Sequence, residues 1–285
     1  MFLVTSEGII LADPISTDFA RWLRAEFARR FDVPVRYVLY SHHHWDHASG
    51  GAVFADTAEL VGHRAMPEKL ILPPADTPFP GWAARADANR DGRIERGETT
   101  YPLLADYVAL HDVNGDGALS GAEVARGPMN DVHAPERLFA DRTTITLGGK
   151  AVEMIHVGPT HAEDMTVLRF PTEDAVFLVD FFDVKRLAVP GEDLERLDAA
   201  IAEVEALDFT IVVGGHGSVG DKSDVVAHRR YLEELRAAVA DGIAKDRTLE
   251  QLQATLTFDA YRDWANYREW RTENIEGMYA ILTAN

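Results

Sequence analysis

At 285 residues and 46% hydrophobic content the chain can bury a full core, and with no cysteine it offers neither disulfides nor thiolate metal ligands. A net charge of −19 argues against nucleic acid as a partner, because phosphate binding needs lysine and arginine surfaces; nuclease and tRNA-processing chemistry are excluded on that ground. No apolar run approaches the ~20 residues that span a membrane, so no membrane association is expected.

In chain order, residues 2–5 and 9–12 are short apolar runs around Ser6-Glu7-Gly8, which predicts a hairpin. Residues 16–30 predict an amphipathic helix with Ser16 or Thr17 as N-cap. Residues 35–40 are apolar and β-rich and predict a buried strand. That strand runs into Ser41-His42-His43-His44-Trp45-Asp46-His47. Imidazoles and a carboxylate at a strand end deliver several ligands to one point, and the donor set suits a borderline divalent cation such as zinc. In an extended segment His42, His44 and Asp46 face one way and His47 turns to a neighbouring position, while His43 faces away as pocket wall. A short helix and a strand over 59–62 follow.

Residues 71–81 are proline-rich and read as a linker. Beyond it, residues 87–98 and 112–123 both match the EF-hand calcium loop. Asp87, Asn89, Asp91 and Glu98 fill loop positions one, three, five and twelve of the first, with Gly92 at the sharp turn. Asp112, Asn114, Asp116 and Glu123, with Gly117, do so in the second. Arg93 and Ala118 supply only a backbone carbonyl at position seven, and Glu95 and Ser120 fall at position nine. Ile94 and Leu119, at position eight, are expected to join the loops in a short β-bridge. The interval between the loops holds one helix, roughly 97–111, instead of two, an arrangement that resembles dockerin-like repeats. The expected role is structural, with two bound calcium ions. The insert spans residues 75–129 and divides the remaining chain into 1–74 and 130–285.

After the insert, strands are expected over 142–147, 150–157, 165–170 and 175–180. A helix over about 193–207, a strand before His216 and a long helix over 222–245 follow, with helical segments to the end. Three further segments carry candidate ligands: the turn Gly158-Pro159-Thr160-His161, the apolar run ending in Asp180, and Gly214-Gly215-His216-Gly217. His156 reads as a strand residue, and His63, His111, His133 and His228 as surface or packing residues. Tyr261, Trp264, Tyr267, Trp270 and Tyr279 recur at helical spacing, which predicts core packing, with a hydrophobic wall over the site as the alternative.

The spacing His-x-His-x-Asp-His at 42–47, followed in order by His161, Asp180 and His216, resembles the signature of the metallo-β-lactamase superfamily. The resemblance covers nearly the whole chain and implies an α/β fold, the αββα four-layer sandwich, here with an inserted helical EF-hand pair. It implies one metal held by His42, His44 and His161, a second by Asp46, His47 and His216, and Asp180 bridging the two. Asp183, three residues beyond, is expected to be dispensable. The bridging carboxylate and the turn at 158–165 resemble the glyoxalase II and lactonase branches.

The expected activity is that of a dinuclear zinc hydrolase attacking a small ester, lactone or thioester with a metal-bridging hydroxide, Asp46 orienting that hydroxide. Alternatives are a β-lactam hydrolase, an iron-dependent oxidoreductase of the persulfide dioxygenase kind, and a calcium-binding interaction protein with a vestigial site. Iron or manganese are the alternative metals, and the partner is a small-molecule substrate. The chain as it stands reads as cytoplasmic, or as periplasmic or secreted if a leader precedes it.

Overall fold

The computed structural model describes residues 1–80, 83–84, 86–98, 108–181, 183–187 and 194–283. They divide into two units, residues 1–140 with 147–149, and residues 141–146 with 150–285.

The first unit is built on a five-stranded sheet of order β1-β2-β3-β4-β7. β1 (Phe2–Val4) and β2 (Ile9–Ala12) form the expected antiparallel hairpin. α1 (Thr17–Arg30) starts on Ser16, whose side chain accepts the Phe19 N–H, and places Asp18 in its first turn and Arg29 and Arg30 in its last. Those charges complement the helix dipole at both ends. Its buried face, Ala20, Leu23 and Phe27, packs with Ile9, Leu11, Val35, Val38 and Leu60 in one core cluster. Each such large side chain contributes about 1.5–3 kcal/mol by leaving water. α1 is the crossover that makes β3 (Val35–Leu39) parallel to β2, and β4 (Glu59–His63), with the one-turn helices α2 (Trp45–Ala48) before it and α3 (Met66–Lys69) after it, is parallel to β3 in turn. The carboxyl ends of β2 and β3 therefore lie at the same sheet edge, where Asp13 and the histidine-rich segment emerge.

β4 and β7 (Arg137–Phe139) are parallel neighbours, and the stretch between them contains the two acidic loops. Within it β5 (Ile94–Glu95) pairs antiparallel with β6 (Ala118–Leu119), and Ile94 lies opposite Leu119 as the loop alignment predicts. Ala83, Ile94, Val108, Leu119 and Val124 make a small core beneath the pair. The helix expected over 97–111 lies mostly outside the described residues; its last turn is α4 (Val108–His111). α5 (Gly121–Arg126) begins with a capping box in which Ser120 and Glu123 satisfy each other's backbone N–H groups.

The second unit carries a six-stranded sheet of order β13-β12-β11-β10-β9-β8. β8 (Arg142–Leu147), β9 (Lys150–His156), β10 (Thr166–Phe170) and β11 (Ala175–Val179) follow the expected boundaries within a residue or so. β9, β10 and β11 run alternately antiparallel, and β11 is parallel to β12 (Ile211–Gly214) across α6 (Leu194–Glu205). β13 (Val219–Asp221) leads into the 23-residue α7 (Lys222–Ala244), and α8 (Leu249–Thr255) and α9 (Tyr267–Thr283) end the chain. Tyr261 and Trp264 meet Tyr231 of α7 at ring distances of 5.0 and 5.9 Å. The Tyr231 hydroxyl donates to Asn274 Oδ1 at 3.0 Å. The core-packing reading of Tyr261 and Trp264 is thus the one the structure follows. Both units are mixed α/β, and among the described residues no helix is long and apolar enough to cross a membrane.

Candidate metal centre

In the first unit β3 ends at Leu39, and the chain does not stay extended through the histidine cluster. Trp45–Ala48 is a helical turn (α2), closed by the Ala48 N–H donating to the His44 carbonyl at 2.9 Å. Asp46 and His47 therefore sit on a helix, and the expected strand alternation through Asp46 is corrected. Gly50, at φ 89°, and Gly51, whose missing side chain leaves room for the Tyr40 hydroxyl, permit the sharp exit. The rings of His44 and His47 lie 4.5 and 4.6 Å from that of His42, and His47 Nε2 lies 3.7 Å from Asp46 Oδ2. The turn gathers the cluster that the strand alone would have splayed.

Asp13 holds this cluster in place. Its buried carboxylate accepts the Ser41 N–H at 2.9 Å and the Ser41 hydroxyl at 2.7 Å. The His47 Nδ1–H donates to Asp13 Oδ2 at 3.2 Å. Ser41 Oγ, its own proton given to Asp13, accepts from His42 Nδ1 at 3.0 Å. One carboxylate thereby fixes the tautomer of two imidazoles and leaves Nε2 of each as the donor to a metal. Asp13 and Ile15 both have positive φ, 51° and 73°, and the Ile15 N–H donates to the His47 carbonyl at 2.9 Å. A β-branched residue in that region costs about 1–3 kcal/mol, the kind of strain that accumulates at functional sites.

In the second unit the three later ligands follow the carboxyl ends of β9, β11 and β12. The turn bearing His161 is closed by His156, whose Nε2 donates to the Glu163 carbonyl at 2.8 Å, and by Arg196, which donates to the Gly158 carbonyl at 2.8 Å. His156 is thus the strand-end residue expected, with a positioning task. Asp180 follows Val179, which is left-handed at φ 54° where the β11–β12 register shifts. Its Oδ2 lies 3.6 Å from His161 Nε2 and 3.2 Å from His216 Nε2. One oxygen of Asp180 thus lies near the imidazoles of both His161 and His216. Asp183 is not a spare copy of Asp180: it is buried and its Oδ1 accepts the His216 N–H at 3.0 Å.

Among the described residues, two groups of side chains could hold a metal ion: His42, His44 and His161, and Asp46, His47, Asp180 and His216. All donors are imidazole nitrogen or carboxylate oxygen, which fits zinc and its borderline neighbours. Sequence reasoning missed Asp13, Ser41 and the task of Asp183. Asp13 carried the same signal as Asp180, an aspartate directly ending an apolar strand. His228, expected to be a packing residue, is buried and stacks on Trp264, and burial holds its pKa down at about 4.

The two acidic loops of the insert repeat one pattern. In the first, Asp87 accepts the N–H groups of Asp91 and Gly92 at 3.2 and 3.0 Å, and Glu98 accepts those of Asn89 and Glu95 at 3.3 and 3.0 Å. In the second, Asp112 accepts from Asp116 and Gly117 at 3.3 and 2.9 Å, and Glu123 from Val113 and Ser120 at 2.8 Å each. Gly92 and Gly117 have φ of 87° and 84°, as the sharp turn demands. Arg93 of the first loop pairs with Asp116 of the second at 2.7 Å.

Residues 14–216 match the protein family described as the metallo-beta-lactamase superfamily. The chain is 24% identical over 272 residues to a linear primary-alkylsulfatase of Pseudomonas sp. (strain ATCC 19151), covering 89% of this chain and 47% of that protein. It is 22% identical over 178 residues to the 2,4-dinitroanisole O-demethylase subunit alpha of Nocardioides sp. (strain JS1661), covering 61% and 38% respectively. The chain thus spans less than half the length of the curated relatives it matches. Among solved structures, a metallo-beta-lactamase from Pontibacter korlensis aligns with TM-score 0.52 and 19% identity over 79% of this chain and 82% of that one. A stereoselective inverting sec-alkylsulfatase from Pseudomonas sp. aligns with TM-score 0.64 and 15% identity over 98% of this chain and 46% of that one. At those identities the structural likenesses speak to the fold.

Proposed function

The chain belongs to the metallo-beta-lactamase superfamily, and on that premise we propose that it is a hydrolase that holds two divalent cations, zinc by the chemistry of its donors, and cleaves a small ester. The observation that carries the reading is the complete donor set, His42, His44 and His161 with Asp46, His47, Asp180 and His216. When bound, such cations supply Lewis acidity and a water acidic enough to ionise near neutral pH. The protein's own part is to hold the donors and to manage the proton. Asp13 keeps Nε2 of His47 and, through Ser41, of His42 directed to the metal. Asp180, close to both His161 and His216, would help to hold the ions when they are bound. Asp46, partly open to solvent, orients the attacking water and takes up its proton. The substrate is a small molecule.

Carboxylic esters, lactones and thioesters are the expected substrates. The alkylsulfatase among the sequence relatives favours sulfate monoesters of alcohols as the second class. Metal analysis of the purified protein is expected to give about two zinc ions per chain. One panel of carboxylic ester, lactone, thioester, alkyl sulfate and β-lactam is expected to show turnover in an ester class, lost on chelation and restored by zinc. One redox-active iron per chain with no hydrolysis would overturn the reading in favour of an oxidoreductase.

We further infer that residues 87–98 and 112–123 bind one calcium ion each. Asp87, Asn89, Asp91 and Glu98, with the Arg93 carbonyl, would hold the first, and Asp112, Asn114, Asp116 and Glu123, with the Ala118 carbonyl, the second. The matched hydrogen-bond patterns, the left-handed glycines and the Ile94–Leu119 pairing support it.

A further inference from the structure

We propose that Asp183 is a positioning residue for His216, locked in turn by Arg186 and the C-terminal helical segment. The proposal rests on the reading of His216 as a metal ligand. His216 stands on a glycine-rich turn that would not by itself hold an imidazole to one direction. Asp183 supplies the constraint through Oδ1, which accepts the His216 backbone N–H at 3.0 Å. The fit is close: a Cβ on Gly214 would come within 2.6 Å of that oxygen, and one on Gly217 within 3.3 Å of the Asp183 Cβ.

The other oxygen, Oδ2, accepts from Arg186 Nη1. Arg186 is itself held on three sides. Its guanidinium lies 4.8 Å from the Trp270 ring centroid. Its Nε and Nη2 donate to the side-chain oxygen of Asn266 at 2.9 and 3.2 Å, with the amide turned to suit both groups. Its backbone bridges to Ala265, flanked by Leu187 N–H to Ala265 carbonyl at 3.0 Å and Ala265 N–H to Lys185 carbonyl at 2.9 Å. From α7, the His228 ring meets the Asp183 backbone and stacks on Trp264.

A stability role does not account for this arrangement. A buried ion pair recovers little beyond its own desolvation and is often replaceable by apolar residues at no cost. Asp183 is 2% and Arg186 18% exposed, so the pair bears that penalty. What an apolar pair could not do is accept the His216 N–H. Partners that orient a metal ligand are worth about 10–100-fold in metal affinity, and Asp183 acts on His216 through its backbone N–H, fixing the turn that carries the ring.

The test is zinc affinity by chelator competition on the whole chain, with melting temperature recorded beside it. Asp183→Ala and Arg186→Met are each expected to weaken one of the two zinc ions by about tenfold or more and to leave the other unchanged. Asp183→Asn keeps an oxygen for the His216 N–H and is expected to recover most of the loss, even if its melting temperature stays low. Arg236→Met, which removes the Arg236–Asp198 pair between α7 and α6, is the control and should leave both affinities intact. Wild-type affinities in Asp183→Ala, or an Asp183→Asn no better than it, would overturn the proposal. Where Asp183→Ala does not fold, Arg186→Met decides by the same measure. If His216→Ala keeps both zinc affinities, the ligand assignment itself fails, which is a separate result.

Discussion

Asp13 lies outside the candidate donor set, yet it holds two of the imidazoles in that set. It accepts directly from His47 and through Ser41 from His42, so its loss frees two imidazoles to rotate and to take the wrong tautomer. Asp13→Ala is expected to weaken zinc binding about 10–100-fold, with a matching loss of turnover at limiting zinc, read by chelator competition. Unchanged affinity would leave Asp13 a purely structural residue. At this scale the sequence pointed to the side chains that the fold gathers and was poor for their supports. His42, His44, Asp46 and His47 announce themselves by density, and Asp180 by ending an apolar strand. Asp183 looked redundant because His216, whose N–H it accepts, and Asn266 and Trp270, which hold its partner Arg186, come near only through tertiary packing.

Elements were more legible than their turns. Apolar period and strand length located α1, β3, β9, β11 and α7 within a residue or two, because each buries one continuous face. The helical turn at Trp45–Ala48 was not legible, since four residues are too short for a period and Gly50 and Gly51 act through contacts outside it. In the insert the loop alignment fixed the Ile94–Leu119 pairing in advance. Glu98 and Glu123 each tie the end of a loop to its start, through Asn89 and Val113. On the proposed calcium reading, calcium is expected to raise the melting temperature of the wild type, and Glu98→Gln with Glu123→Gln to abolish that rise, since each glutamate would provide the bidentate ligand of its loop. Turnover at low temperature should stay within a few-fold of wild type. A folded double mutant that loses turnover would make the insert a regulator of hydrolysis, not a brace.

For the whole molecule, pH acts on stability through His228. Its folded pKa of about 4 lies below the ordinary histidine value of 6.5, because burial disfavours the charged ring. The unfolded chain therefore takes up a proton that the folded one refuses. The contribution is complete above pH 6.5 and shrinks as pH falls from there towards 4. It amounts to on the order of 3 kcal/mol, and denaturant unfolding should show a steeper loss over that window in wild type than in His228→Gln. Parallel slopes in the two proteins would show that His228 does not carry it.

The pairing of β11 with β12 also sets an order of events in time. Asp180 and His216 are delivered by two parallel strands whose connection runs through α6, and parallel pairs close only after such a crossover is in place. In the first unit Asp13 and His42 depend in the same way on the β2–α1–β3 crossover. His42, His44, Asp46 and His47 are neighbours in sequence, but the Asp13 contacts that orient them, and the donors Asp180 and His216, are in place only once the strands have paired. On the proposed reading the full donor set therefore follows collapse of the apolar sheets, and capture of the full complement of metal is expected to be a late, bimolecular step whose rate follows ion concentration. In this respect the molecule is the opposite of a small zinc finger, whose fold waits for its ion.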